Sequence, residues 1–140
     1  FQTIGRPVDI HGLVVTPFEV EHPQGAVGYR VDGPSASCAV VTDHEAGTER
    51  DAAITRAISG VDVLVHDAQY TPDEVSIRLG WGHSTWEGAV DAAEAAGAGR
   101  LLLRSLDPRT TDGGADAILA LARRRFPNTD IAYPGVEVIL

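Results

Sequence analysis

The sequence predicts a single α/β domain built on a mixed β-sheet, with helices packed mainly on one face of that sheet. Short apolar segments separated by turn residues fill the first part of the chain, which is typical of antiparallel strands joined by hairpins. From residue 48 onward, helical and strand-like segments alternate. Hydrophobic residues make up 44% and charged residues 22% of the 140 residues, as in an ordinary globular domain.

Three strand-like segments lie in the first part of the chain. Within residues 11–22, apolar Phe18 and Val20 alternate with acidic residues, which predicts a half-buried strand. A Pro-Gln-Gly turn follows, and residues 26–31 form the next predicted strand. Residues 37–42 are apolar and β-branched, so they predict a buried strand after a second turn. We expect these segments to form an antiparallel meander.

The second part of the chain predicts helices between short buried strands. The predicted helices are 48–58, a turn or two within 72–79, 84–96 and 113–125. The predicted strands are 61–65, 101–103, 131–133 and 136–140. Thr48 and Ser84 are the expected N-caps of the first and third helices, and Gly97 is the expected C-cap of the third.

Composition excludes several classes of function. The net charge of −9 and the pI near 4.8 disfavour electrostatic binding to nucleic acid or to anionic membranes. A single cysteine excludes a disulfide framework, and the lack of lysine excludes a P-loop or a Schiff base. No apolar run of about 18 residues and no leader-like start are visible, so we expect a cytoplasmic protein. Since the chain starts at Phe1 without Met, we expect a fragment or processed product.

Polar residues follow several of the apolar segments, where an α/β protein commonly builds its site. His22, Asp43 and Asp67 each lie at the end of a predicted strand, and His83 lies just before a predicted helix. Such residues are the nitrogen and oxygen ligands of zinc or manganese. Each also has a structural interpretation, because histidines and aspartates at strand ends often only hydrogen-bond turns. No local metal motif such as HxxH or HExxH is present.

Taken in order, these segments resemble the carboxyl-terminal half of metallo-β-lactamase-fold hydrolases, in the branch of ribonuclease Z and related phosphodiesterases. The matching text is Glu21-His22-Pro23 through Gly28-Tyr29-Arg30, Val41-Thr42-Asp43, His66-Asp67-Ala68-Gln69-Tyr70, Gly82-His83-Ser84-Thr85-Trp86, Arg100-Leu101-Leu102-Leu103 and Asp107-Pro108. The match covers roughly residues 12–140. It implies half of an αββα sandwich, with the other half absent from this chain.

The resemblance implies a role for each candidate residue. His22 and Asp43 match metal ligands, with Asp43 as the aspartate that bridges two metals. Asp67 and His83 match an acid–histidine pair in which the histidine donates a proton to the leaving group. A carboxylate suits that purpose, because it fixes the imidazole tautomer and favours the protonated ring. The implied cofactor is a divalent metal, zinc or alternatively manganese, and the implied substrate is a phosphodiester.

Two departures from the family pattern put activity in doubt. The ligand signature HxHxDH is absent from these 140 residues, and Ser105 stands where relatives carry the last metal-binding histidine. Two expected ligands remain, so we expect an incomplete site that binds metal weakly and a chain that is inactive alone. Two hypotheses follow: the back half of a metal-dependent hydrolase, or a non-catalytic domain of this fold that serves binding or regulation.

A third hypothesis, a receiver-like signalling domain with Asp67 as phospho-acceptor, is disfavoured by the absence of lysine. For partners, half of a sandwich predicts either a missing amino-terminal segment or a homodimer, since one sheet face would stay open. Nucleic acid remains a candidate substrate of the parent enzyme, although charge does not favour it.

Overall fold

The computed structural model describes residues 5–139 and contains one seven-stranded sheet with four helices. The strands are β1 (Val8–Ile10), β2 (Leu13–Val20), β3 (Ala26–Asp32), β4 (Ser37–Val41), β5 (Val63–Asp67), β6 (Arg100–Arg104) and β7 (Thr129–Ile131). The helices are α1 (Asp51–Ala57), α2 (Pro72–Val75), α3 (Trp86–Ala96) and α4 (Asp112–Arg125). The predicted α/β class is confirmed.

The sheet is mixed, and its strands follow one another in chain order. β1 to β4 pair as antiparallel neighbours. The predicted meander of β2, β3 and β4 is confirmed, and β1 is a further strand that the sequence did not predict. β4 to β7 pair in parallel, joined by segments that carry the helices. Because β2, β4, β5 and β6 all run in the same direction, their carboxyl ends lie at one edge of the sheet. That edge carries the polar residues of interest.

The helices bury one face of the sheet. Ala39, Leu64 and Leu101 lie side by side on adjacent strands and are fully buried. They belong to the same apolar cluster as residues of α1, α3 and α4, including Ile54 and Val90. α3 supplies most of this contact, because its apolar residues recur at helical spacing along the side that faces the sheet.

The opposite face of the sheet is also apolar but is less covered. Tyr29, Val40 and Val65 are direct neighbours across β3, β4 and β5, and each is only half-buried. On the same face, Leu13 is 44% and Val27 45% exposed. An apolar face of this kind is typical of a layer that packs against a second sheet.

Several predicted boundaries differ from the structure. α3 is capped by Thr85, whose side chain accepts from the Gly88 amide, so the prediction that Ser84 is the N-cap is wrong. α1 starts at Asp51 rather than after Thr48, whose hydroxyl donates to the Asp51 carboxylate. Residues 136–139 form no strand, and the end of that predicted strand, residue 140, lies outside the described residues. Across 5–139, none of the helices has the length and apolarity to cross a membrane.

Candidate metal centre

Three of the predicted site residues meet at the carboxyl edge of the sheet. His22 follows β2, Asp43 follows β4 and His83 precedes α3. Each offers one ligand atom, and these three atoms lie within 4.8 Å of one another. Two imidazoles and a carboxylate are a donor set that zinc and manganese accept. Asp43 is exposed and the two histidines are half-buried, so the cluster is open to solvent.

Asp67 lies behind this cluster as a completely buried carboxylate at the end of β5. His83 Nδ1 lies 2.7 Å from Asp67 Oδ2, which is the contact that the sequence predicts. The same oxygen accepts from the Asp43 amide at 3.0 Å. The second oxygen accepts from the amides of Gln69 and Ser84 at 3.2 and 3.1 Å. One carboxylate thus holds the backbone of Asp43 and the ring of His83 in place.

The backbone at two strand ends adopts a conformation that side chains rarely take. Asp43 has φ of 54° and Ser105 has φ of 62°, both in the left-handed region. These are two of the positions at which the resemblance places metal ligands. Non-glycine residues keep such angles mainly where the surroundings enforce them, which is common at functional sites. Ser105 therefore retains the unusual backbone of that position without a histidine side chain.

Two side chains that sequence reasoning did not assign to the site tie its loops together. The Ser84 hydroxyl donates to the His44 carbonyl and accepts from the Ala46 amide, so it joins α3 to the loop after β4. The Glu45 carboxylate accepts from the Gly80 and Gly82 amides, each at 2.9 Å. No local pattern marks Glu45, because its partners lie more than 30 residues away in sequence.

His44 and His66 lie near the cluster but are part of the buried framework. His44 Nδ1 accepts from the Glu21 amide, and burial lowers the pKa of its ring. His66 is fully buried with Nδ1 2.8 Å from the Asp67 carbonyl oxygen, and burial lowers its pKa from 6.5 to about 4. Neither belongs to the group of potential metal ligands among the described residues.

The site residues named from sequence are therefore brought together, while their chemical roles stay predictions. His22, Asp43 and His83 form the cluster, and Asp67 contacts two of its members. The structure adds that His83 is close enough to be a third metal donor, whereas sequence reasoning gave it only a proton-donor role. Ser105 follows β6, the strand beside the one that ends at Asp67.

Comparison with known proteins gives the family. Residues 2–104 match the profile described as "Beta-lactamase superfamily domain". This chain belongs to the β-lactamase superfamily. A ribonuclease Z of Lacticaseibacillus casei (strain BL23) is 38% identical over 80 residues, which are 57% of this chain and 25% of that protein. A ribonuclease BN of Erwinia tasmaniensis is 31% identical over 107 residues, 76% of this chain and 33% of that protein.

Structural similarity agrees with the sequence matches. The metallo-β-lactamase fold protein YhfI of Bacillus subtilis superposes with a TM-score of 0.79 at 20% identity, over 96% of this chain and 53% of YhfI. This superfamily member thus has the metallo-β-lactamase fold and lies in its ribonuclease Z-like branch. The chain spans only about a quarter to a third of the length of the two curated relatives.

Proposed function

We propose that this chain provides the carboxyl-terminal half of the site of a metal-dependent phosphodiester hydrolase. The observation that carries the proposal is the cluster of His22, Asp43 and His83, with the buried Asp67 paired to His83. Four residues from separate segments converge, which an ordinary turn or cap does not require. The similarity to ribonuclease Z supports phosphodiesters as the substrate class.

The residues present fit a divalent metal ion. His22 and Asp43 would hold it, and their ligand atoms lie within 4.8 Å of each other and of one atom of His83. When bound, a divalent ion would polarise the phosphate oxygens and lower the pKa of a bound water. Nitrogen and carboxylate donors favour zinc, with manganese as the alternative.

Asp67 and His83 would supply the proton for the leaving group. Asp67 accepts a hydrogen bond from His83 Nδ1, so Nε2 is the ring nitrogen that remains available. A protonated His83 would donate from Nε2 to the leaving oxygen, while the buried carboxylate holds the orientation of the ring through Nδ1. Asp67 acts through His83 and through the Asp43 amide, so it is a positioning residue.

Metal binding tests the ligands. We expect the 140-residue chain to bind zinc weakly, because it offers two or three donors and Ser105 replaces another. Asp43→Ala should abolish this binding in equilibrium dialysis with metal analysis, whereas Asp116→Ala, at an exposed position of α4, should leave it unchanged. His83→Ala should weaken it less than His22→Ala if His83 is the proton donor. Equal binding by the wild-type chain and Asp43→Ala would refute the assigned ligand.

Activity tests the completeness of the site. We expect hydrolysis of a chromogenic phosphodiester by this chain alone, with added zinc or manganese, to equal the blank. Turnover abolished by Asp43→Ala would instead show a complete site within these 140 residues.

Ser105 supports a second candidate, a non-catalytic domain of this fold that binds or regulates. A serine is a poor metal ligand, and HxHxDH does not occur in the chain. A parent protein with HxHxDH ahead of this segment would favour the hydrolase. A parent without it would favour the non-catalytic domain.

A further inference from the structure

The loop between α2 and His83 exposes large apolar side chains beside the candidate metal centre. Ile77 is 78%, Leu79 70% and Trp81 61% exposed. By contrast, the only other tryptophan, Trp86, is 8% exposed and packs in the core. Leaving an indole in water forgoes the free energy of its burial, so exposed aromatic side chains often mark binding surfaces.

This loop is held in place on both sides of Trp81. The Glu45 carboxylate accepts from the Gly80 amide with one oxygen and from the Gly82 amide with the other, each at 2.9 Å. The two glycines have φ of 81° and 84°, a conformation that other residues rarely adopt. The Glu45 amide in turn donates to the Glu21 carbonyl at 2.8 Å. Trp81 is therefore displayed on a fixed backbone.

The same loop lies directly against a proposed metal ligand. A Cβ placed on Gly82 would be 2.2 Å from His22 Cδ2 and 2.7 Å from Pro23 Cδ. His83 is the next residue along the chain, so the loop that carries Trp81 contacts or continues into two members of the cluster.

We propose that Trp81 is a stacking surface for a nucleobase of the substrate, and that Glu45 is the residue that positions it. The substrate class rests on the proposed phosphodiesterase function, and the base would be the one next to the phosphate at the cluster. A stacked base is held through its π-face and not through its phosphates, so this contact is compatible with a net charge of −9. An aromatic side chain has few rotatable bonds, so it loses little conformational entropy when a held backbone presents it to a ligand.

Tryptophan fluorescence in the presence of a metal chelator tests the stacking directly, because no metal or turnover is needed. We expect a tetra-adenylate strand to quench the Trp81 emission saturably, and a base-free strand of the same length and charge to leave it unchanged. Trp81→Phe should lose the saturable change, since the remaining Trp86 is buried. No saturable quenching, or equal quenching by both strands, would overturn the proposal.

Binding of the same labelled strand, followed by anisotropy, measures the contribution of the indole. Trp81→Ala should bind roughly 5- to 150-fold more weakly, the range typical for loss of one aromatic–base stack. Tyr133→Ala removes another exposed aromatic ring, 63% exposed and far from α2 in sequence, and should bind as the wild type does. Equal affinity of the two variants would overturn the proposal.

Glu45→Gln tests the positioning role, because a glutamine amide has one acceptor oxygen in place of two. We expect faster local motion of Trp81, seen as lower fluorescence anisotropy, together with weaker binding of the tetra-adenylate. Unchanged anisotropy and affinity would refute the role of Glu45. The stacking proposal and the hydrolase proposal can fail separately. If the strand does not quench Trp81 but zinc binding still depends on Asp43, the stacking proposal is refuted and the proposed metal site is not.

Discussion

At the residue scale, Asp67 determines where the other polar groups of the site lie. Its buried carboxylate accepts three backbone amides and pairs with the His83 ring. Sequence reasoning could predict the pair with His83 from the family resemblance. It could not predict that the Asp43 amide also donates to Asp67, because Asp43 has a left-handed backbone that its sequence does not indicate.

The substitution Asp67→Asn should destabilise the fold. The carboxamide would present its NH₂ group to the Asp43 amide, or to the Gln69 and Ser84 amides, and leave buried donors unpaired. We expect a loss of about 2–3 kcal/mol in the free energy of unfolding. Urea denaturation followed by circular dichroism measures it. Asp73→Asn, at an exposed position of α2, is the matched control and should change little.

Substituting each of the two glycines around Trp81 by alanine distinguishes the cost of backbone strain from the cost of steric crowding. A Cβ on Gly80 meets no atom of the described residues within 4 Å, so Gly80→Ala is strained only by its φ of 81°, and we expect a loss of roughly 1 kcal/mol in the free energy of unfolding. Gly82→Ala has a similar φ of 84° and also clashes with the ring of His22 at 2.2 Å. It should lose more stability than Gly80→Ala and, unlike it, weaken zinc binding. Equal zinc affinity of the two variants would contradict contact between the loop and His22.

At the scale of elements, hydrophobic periodicity predicted most helices and strands, but side-chain capping was harder to assign. Ser84 and Thr85 are both suitable N-cap residues, and only the structure shows which one caps α3. The Ser84 side chain instead connects the start of α3 to the loop after β4, because its hydroxyl donates to the His44 carbonyl. The short β1 was missed because three residues carry too little alternation to recognise.

The caps of α3 and α4 should differ in their effect on global stability. Thr85 and Thr111 both accept from a backbone amide three residues later. α3 is packed in the core, so Thr85→Ala should lower the free energy of unfolding by about 1 kcal/mol. α4 has one buried residue among those described, so Thr111→Ala should mainly increase hydrogen exchange in its first turn. Urea denaturation and hydrogen exchange of both variants check this prediction. Equal losses in the free energy of unfolding for Thr85→Ala and Thr111→Ala would contradict it.

At the scale of the whole molecule, the sequence predicted half of a sandwich, and the structure has one sheet with helices on one face. Tyr29, Val40 and Val65 form a half-buried apolar row on the other face of the sheet. That an amino-terminal segment or a second copy packs on this row stays a prediction. The sequence could not decide, because apolar residues on both faces of a strand indicate burial without indicating the partner.

The pH dependence of global stability should reflect His66. Burial holds its pKa at about 4 in the folded chain, against 6.5 for an exposed histidine, although the nearby Asp67 and Asp51 favour the charged ring. Its Nδ1 donates to the Asp67 carbonyl, and Nε2 has no hydrogen-bond partner among residues 5–139, so a second proton would be buried without an acceptor there. Folding is therefore favoured when this ring is neutral.

Between these two pKa values the unfolded chain binds more protons than the folded chain. The stabilisation is therefore complete above about pH 6.5 and is lost progressively as the pH falls toward 4, by up to roughly 3 kcal/mol. Urea denaturation of wild type and His66→Gln from pH 7 to 4 measures the slope, which the variant should reduce. Some pH dependence of stability should remain in His66→Gln, because burial also lowers the pKa of His44. His11→Gln, at an exposed position, should keep the wild-type slope, and an unchanged slope in His66→Gln would place the acid sensitivity elsewhere.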